Sequence, residues 1–253
     1  MKKSFLILFI LISSVIFAQI PSQPTIKPVQ LSVNHKMNGD TSIVINLGDP
    51  TREYLSIHKS KGLLIGRVEM HNGLKNGVWR EYNPTGLMTN LEEYRDGMKH
   101  GVSLVLSYYG QVLQDANYYL DSLDGQKTVF TSTGLIKSSE IFSKEKLNGE
   151  RIIFYDDGKI QEESNFINGQ RNGTCKWYQQ NGKPSIEYNY INGSLEGPSI
   201  EYDEKGSIIR EGFYKNNNED GEWKIYENSL LIKKIIYKNG KLIKEIKVKP
   251  PGN

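Results

Sequence analysis

The sequence lacks several features on which common functions depend. It has one cysteine, so it can form neither an internal disulfide framework nor a multi-thiolate metal site. Its four histidines (His35, His58, His71 and His100) fall in none of the common catalytic motifs, and no phosphate-binding loop is present. Beyond the N-terminus no apolar run is long enough to cross a bilayer. We therefore predict a non-enzymatic protein without a bound metal or cofactor.

The N-terminus has the pattern of an export signal. Two lysines follow Met1, residues 4–17 are almost wholly apolar, and the small residue Ala18 suits a cleavage site. This pattern predicts a signal peptide over residues 1–18 and a periplasmic, cell-envelope or secreted location. A retained membrane anchor is the alternative, although an apolar run of 14 residues is short for a spanning helix. Residues 19–52 are expected to form a proline-containing linker and an N-terminal capping hairpin around Asn38-Gly39.

The charge is nearly balanced but unevenly distributed. Without residues 1–18 the chain has 30 basic and 29 acidic residues, which gives no reason to expect a nucleic acid partner. Residues 221–253 nevertheless hold eight lysines and three glutamates. Lys244, Lys247 and Lys249 are therefore a candidate basic patch that could bind an anionic membrane surface. The alternative is that these lysines only protect the edge of a sheet from pairing with other chains.

Glycine and aromatic residues recur with a fixed period. A first glycine returns every 24 residues, and a second glycine follows nine residues after most of them. The first series is Gly77, Gly101, Gly125, Gly149, Gly173, Gly197 and Gly221. Aromatic residues fill two columns, five and seventeen residues after the first glycine, and an aliphatic column lies at eleven. Eight units of this kind cover residues 53–243.

The spacing predicts the local structure of each unit. Two runs of about six residues, separated by turn residues such as Asn83-Pro84-Thr85-Gly86, are typical of an antiparallel hairpin. Most units close with Asn-Gly or Asp-Gly, as at Asn168-Gly169, which favours a two-residue turn. Because the aliphatic and second aromatic columns share strand parity, we expect them on one face. The fold class is therefore all-β, an elongated open array of about eight stacked antiparallel β-hairpins, with residues 244–253 as a C-terminal capping strand and tail.

The unit resembles the MORN repeat in the variant form found in bacterial exported proteins. The best matches to the pattern are residues 76–87 and residues 220–226. The units at Gly101 and Gly125 lack a strand aromatic or the closing Asn-Gly, so we expect irregular stacking there. The resemblance implies scaffolding or binding. Bacterial relatives are often described as antitoxin-like, and other MORN arrays are linked to membrane lipids and protein assembly.

Few side chains suggest chemistry. The pairs Asp156-Asp157 and Glu162-Glu163 could in principle serve glycoside hydrolysis, but their positions in the repeat favour solvated side chains. Cys175 is either a packed thiol or a cross-link between two copies. Trp79, Trp177 and Trp223 have opposite parity to the first aromatic column, and they are a candidate interaction face. Packing within the sheet is the alternative for these tryptophans.

These observations favour an exported, non-enzymatic binding or scaffold module for a protein or cell-envelope partner. The alternatives are antitoxin-like neutralisation of a toxin domain and membrane-surface binding through the Lys-rich C-terminal strand. The sequence leaves the oligomeric state open.

Overall fold

The described part of the chain is one antiparallel β-sheet. The computed structural model describes residues 36–37, 40–46, 52–58 and 64–249. Within these ranges 21 strands form a single sheet in which successive strands pair along the chain, except that two of the two-residue strands pair only with the strand before them, and no residue is helical. This architecture confirms the all-β array of stacked hairpins. The expected signal peptide and most of the expected linker lie outside the described residues.

The strands are β1 (Lys36–Met37), β2 (Asp40–Asn46), β3 (Arg52–His58), β4 (Leu64–His71), β5 (Leu74–Lys75), β6 (Gly77–Tyr82), β7 (Met88–Arg95), β8 (Met98–Leu106), β9 (Val112–Tyr119), β10 (Ser122–Phe130), β11 (Ile136–Ser143), β12 (Lys146–Phe154), β13 (Ile160–Ile167), β14 (Gln170–Arg171), β15 (Gly173–Tyr178), β16 (Pro184–Ile191), β17 (Ser194–Tyr202), β18 (Ile208–Lys215), β19 (Asn218–Glu227), β20 (Leu230–Lys238) and β21 (Lys241–Lys247). The two-residue strand β1 pairs with the start of β2, with Lys36 opposite Thr41 and Met37 opposite Asp40. The predicted end of the array, residue 243, falls inside β21.

Two-residue turns connect the repeats along one edge of the sheet. In Asn192-Gly193 both residues have positive φ, 48° and 82°, as a type I′ hairpin turn requires. The units that lack Asn-Gly keep this conformation, with Lys144 at 49° and Glu145 at 66°. Strand pairing there follows the same register as in other units, so the expectation of irregular stacking is wrong. A backbone hydrogen bond ties this turn to the preceding repeat, because the Gly193 N–H donates to the Arg171 carbonyl at 2.8 Å.

The glycines of the first series lie within a strand or at its first residue rather than in a turn. Gly101 is within β8 and has φ of 108° where the register with β7 shifts. Such a bulge needs a residue that tolerates positive φ, and glycine does so without steric cost. The nine-residue spacing then places the second glycine in the longer turn, where Gly86 has φ of 84°.

A further bulge divides the columns between the two faces. In every full repeat the register shifts between the fourth and fifth residues after the first glycine, as between Glu201 and Tyr202. Ile208 of the aliphatic column therefore pairs with Tyr202, whereas Tyr214 of the second aromatic column lies on the opposite face and contacts Trp223. The expectation that these two columns share a face is wrong, because the extra residue in the bulge reverses the alternation.

The core of this single-layer sheet is one row of residues on one face. Neighbouring strands contribute directly opposed residues, such as Ser103 and Ala116 or Ser199 and Gly212. Most of the buried side chains in the described residues belong to this row: Val68, Trp79, Ser103, Ala116, Ser164, Cys175, Ser199, Trp223 and Ile235. We call this side the tryptophan face. The opposite side carries Tyr178, Tyr202 and Tyr226, and we call it the tyrosine face.

Candidate interaction surfaces

The three candidate tryptophans share one face, as their parity predicts, but two of them are buried. Trp79 is 7% exposed and Trp223 is 0% exposed. The rings of Trp223 and Tyr214 meet edge to face at 5.1 Å, and the Arg210 guanidinium lies 4.0 Å from the Trp223 ring centroid. Trp177 is half-buried, with the Arg171 guanidinium 5.5 Å from its ring centroid. The burial of Trp79 and Trp223 favours packing within the sheet. A contact role stays a prediction, and Trp177 is the most exposed of the three.

Two glycines outside the repeat columns make room for the buried indoles. A Cβ on Gly66 would lie 2.4 Å from the Trp79 ring, and one on Gly212 would lie 2.2 Å from the Trp223 ring. Neither glycine has a positive φ in the left-handed region, so close approach is the reason for glycine there. Sequence reasoning missed both, because their only signal is a glycine on the strand beside each tryptophan.

A charged network covers the middle of the tryptophan face. Glu162 accepts hydrogen bonds from Arg171 at 2.5 Å and Ser164 at 2.9 Å, and Arg151 lies 3.6 Å away. Burial raises the pKa of the Glu162 carboxyl, but the Arg171 and Ser164 hydrogen bonds and the nearby guanidinium charges outweigh it and lower the pKa overall. Glu162 is buried, so the expectation that the Glu162-Glu163 pair is solvated is wrong for this residue.

The tyrosine face carries a repeated hydrogen bond between phenol and carboxylate. The hydroxyls of Tyr178, Tyr202 and Tyr226 donate to Glu163, Glu187 and Glu211 at 2.7, 3.0 and 2.7 Å. Each bond joins one repeat to the preceding one. Partial burial, followed by the Glu187 hydrogen bond, raises the pKa of Tyr202 to about 12. These contacts fix the orientation of charged side chains across the face.

An exposed aromatic ring interrupts this polar face near the C-terminus. Phe213 is 56% exposed and lines a depression of about 410 Å³. Pro198 and Ile200 supply further apolar lining, and Glu211, Glu222 and Lys224 supply the charged part. The sequence analysis did not select Phe213, because it stands outside the aromatic columns.

The candidate basic patch lies at the C-terminal edge of the sheet. Lys244 and Lys247 are exposed on β21, and Lys249 follows the strand and is also exposed. Lys244 and Lys247 point to opposite faces, because they are three residues apart in a continuous strand. The patch is therefore a charged edge and not a cluster on one face.

The other candidate groups do not assemble into a site. Glu162 and Glu163 point to opposite faces, so they cannot face each other across a sugar. Asp156-Asp157 lies in a turn, whereas His71 and His100 lie in β4 and β8. Cys175 is 0% exposed, which agrees with the packed alternative. His35 lies outside the described residues, and no side chain of His58 is described.

Neither a metal site nor a membrane-spanning helix is found in the part of the chain that the structure describes. No group of three or more histidine, cysteine, aspartate or glutamate side chains is arranged to hold a metal ion there. Within the same ranges no helix is long and apolar enough to cross a membrane.

Comparison with known proteins identifies the repeat. The sequence model of the MORN repeat variant matches residues 147–168, 171–192 and 195–216. These are three consecutive units of the array. Each match begins two residues after one two-residue turn and ends at the first residue of the next such turn. A comparison with curated proteins finds no match.

Proposed function

Because residues 147–216 are MORN-variant repeats, and MORN repeats are in general protein- or membrane-binding modules, we propose that this chain is a non-enzymatic scaffold for a protein partner. The partner contacts the tyrosine face at the Phe213 depression. The observation that carries this proposal is the exposed Phe213 ring, which together with Pro198 and Ile200 gives the depression an apolar part beside its charged residues.

The position of Phe213 in the repeat supports a contact role. Equivalent residues in other units are mostly polar and serve the sheet itself: Glu93 accepts from the Val102 N–H, and Asn189 donates to the Pro198 carbonyl. Phe213 gives up such a bond and exposes apolar area instead. Aromatic residues, phenylalanine among them, are enriched at protein interfaces relative to the rest of the surface.

The surroundings of Phe213 are suited to a protein partner. Glu211 is held by Lys224 at 2.9 Å and by Tyr226 at 2.7 Å, so the charged rim is fixed before a partner arrives. An apolar centre inside an ordered polar rim is the usual anatomy of a protein interface. The depression is open rather than enclosed by a second layer, which suits a side chain of another protein.

The proposal includes export. The positive start, apolar run and small Ala18 of the N-terminus support a signal peptide, and a partner would then belong to the cell envelope or the secreted fraction. Cell fractionation of the tagged full chain tests this part, because recovery from the cytoplasm at its full precursor mass would contradict it.

A capture experiment tests the binding face. The full chain is used as bait against envelope and secreted fractions, beside the variants Phe213→Ala and Ile191→Ala. Ile191 is 55% exposed and lies at the turn edge, so it is a matched control for loss of exposed apolar area. Loss of a partner with Phe213→Ala only, at unchanged circular dichroism and thermal unfolding, is the expected result. A partner retained by Phe213→Ala but lost with Trp177→Ala would move the binding face to the tryptophan side.

A further inference from the structure

The C-terminal strand β21 leaves one edge of the sheet open. It pairs only with β20 among the described strands, and all seven of its residues are exposed. Leu242 and Ile243 are 55% and 62% exposed. An edge of this kind presents backbone donors and acceptors to another extended chain.

Backbone alternation shows which residues face outward. The Val248 N–H donates to the Ile232 carbonyl at 2.9 Å, so Val248 is directed toward β20. Along a strand of an antiparallel pair, the backbone N–H and C=O groups of one residue point toward the partner strand, and those of the next residue point away from it. The N–H and C=O groups of Glu245 and Lys247 therefore point away from the sheet.

The charge of this edge selects the partner. Residues 230–249 contain seven lysines and one glutamate. Glu245 is held by Lys233 at 3.3 Å, and Lys234 is held by Glu222 at 3.0 Å. Within the described residues the five other lysines, Lys238, Lys241, Lys244, Lys247 and Lys249, have no acidic partner. An added strand that is acidic would supply the missing charges on both faces.

The same charge disfavours a second copy of the chain. Residues 241–249 contain four lysines and one glutamate, so two such edges would repel each other. Lys247 already lies opposite Lys233 within the sheet, which adds to the local positive potential. The register shift at Ile243 confines regular pairing to the part of the edge that follows it.

We propose that residues 244–249 bind an acidic, extended peptide segment of a protein partner as an additional antiparallel strand. Backbone hydrogen bonds to Glu245 and Lys247 supply the pairing, and Lys244, Lys247 and Lys249 supply the selectivity for acidic side chains. Ile246, which is 37% exposed, packs against apolar residues that alternate with the acidic ones. This site is separate from the Phe213 depression, and it goes beyond the scaffold function proposed above.

The test uses a defined probe, a fluorescent capped peptide of four Glu-Val repeats, titrated with the full chain at physiological salt. Lys247→Pro removes an outward N–H without breaking a bond to β20, as proline on an edge strand allows. We expect this variant, and the triple variant Lys244→Glu, Lys247→Glu, Lys249→Glu, to weaken binding about tenfold or more, since each removes charge-assisted or backbone bonds. A fully N-methylated peptide of the same charge should bind with a similar loss.

Matched controls separate strand addition from charge attraction. The triple variant Lys137→Glu, Lys146→Glu, Lys205→Glu changes the net charge equally at exposed sites far from β21 in the sequence, and it should bind within about twofold of the wild type. Equal binding of the methylated peptide, or no effect of Lys247→Pro, would overturn the proposal. So would binding to phosphatidylserine vesicles but not to the peptide, or a dimer in sedimentation that Lys247→Pro abolishes. Phe213→Ala should leave peptide binding unchanged, which keeps the two proposals distinguishable.

Discussion

Individual glycines serve three different purposes in this sheet. Gly101 permits a bulge and Gly182 a turn, both at positive φ, while Gly212 gives space to an indole ring. The 24-residue period marks both of the first two positions, and it predicts the turn but not the bulge. The third depends on a contact between neighbouring strands, which the period alone does not specify.

The substitution Gly212→Ala separates these purposes. Its Cβ would meet the Trp223 ring at 2.2 Å, so we expect a loss of about 1–3 kcal/mol in the free energy of unfolding from overpacking. Gly182→Ala meets no atom within 4 Å and should cost about 1–2 kcal/mol through its φ of 83° alone. Urea titration followed by tryptophan fluorescence measures both. If the emission maximum of Trp223 shifts with Gly182→Ala and not with Gly212→Ala, the assignment of space to Gly212 is wrong.

The buried carboxylate of Glu162 makes the free energy of unfolding depend on pH in the acidic range. Its pKa is lower in the folded protein than its ordinary value of 4.5, so it contributes stability above that value and loses it as the pH falls through the folded pKa. Glu162→Gln should therefore lower the free energy of unfolding near neutral pH and flatten its decline below about pH 4.5. Glu150→Gln, at an exposed position of β12, is the control and should keep the wild-type profile. Parallel profiles for Glu162→Gln and the wild type would contradict the network around Arg171.

Strands and turns, as elements, could be predicted from the sequence, but the face of each column could not. The turn residues and the aromatic period give the hairpins, and the structure agrees with them from β4 onward. The bulge beside Tyr202 recurs in the other repeats, but it cannot be recognised from the sequence because the type of the extra residue varies among them. Three examples are Gln161, Ser185 and Ile209. Parity arguments that cross this bulge fail, whereas those within one uninterrupted strand, as for the tryptophans, hold.

The turn at Lys144-Glu145 offers a test of the local conformation. Both residues have positive φ, which costs about 1–2 kcal/mol each for residues other than glycine, asparagine and aspartate. Replacement by the Asn-Gly of other repeats should raise the melting temperature. The backbone bond from Glu145 N–H to the Leu123 carbonyl remains available to the variant. A lower melting temperature would show that the side chains of Lys144 and Glu145 stabilise the turn.

Over the whole molecule, the structure predicts that a complete repeat is removable. Strands pair with those next to them along the chain, apart from β4 with β6 and β13 with β15, which pair past a two-residue strand. A 24-residue deletion therefore restores the same register on either side. Deletion of residues 173–196 joins Asn172 to Gly197 and should give a folded protein with a smaller denaturant m-value, because less surface is exposed on unfolding. Deletion of only residues 173–184 removes one strand and reverses the chain direction for all that follow. It should abolish cooperative unfolding, and equal behaviour of the two deletions would refute a repeat-by-repeat fold.

The central claim is that the tryptophan face is the core and that the tyrosine face around Phe213 is free to bind. Residue-resolved hydroxyl-radical footprinting of the full chain, alone and with its captured partner, tests both halves at once. The structure predicts rapid oxidation of Phe213 in the free protein, slow oxidation of Trp79 and Trp223, and protection of Phe213 but not of the turn residue Ile191 on binding. Rapid oxidation of Trp79 and Trp223 in the free protein, or protection confined to Trp177, would contradict it.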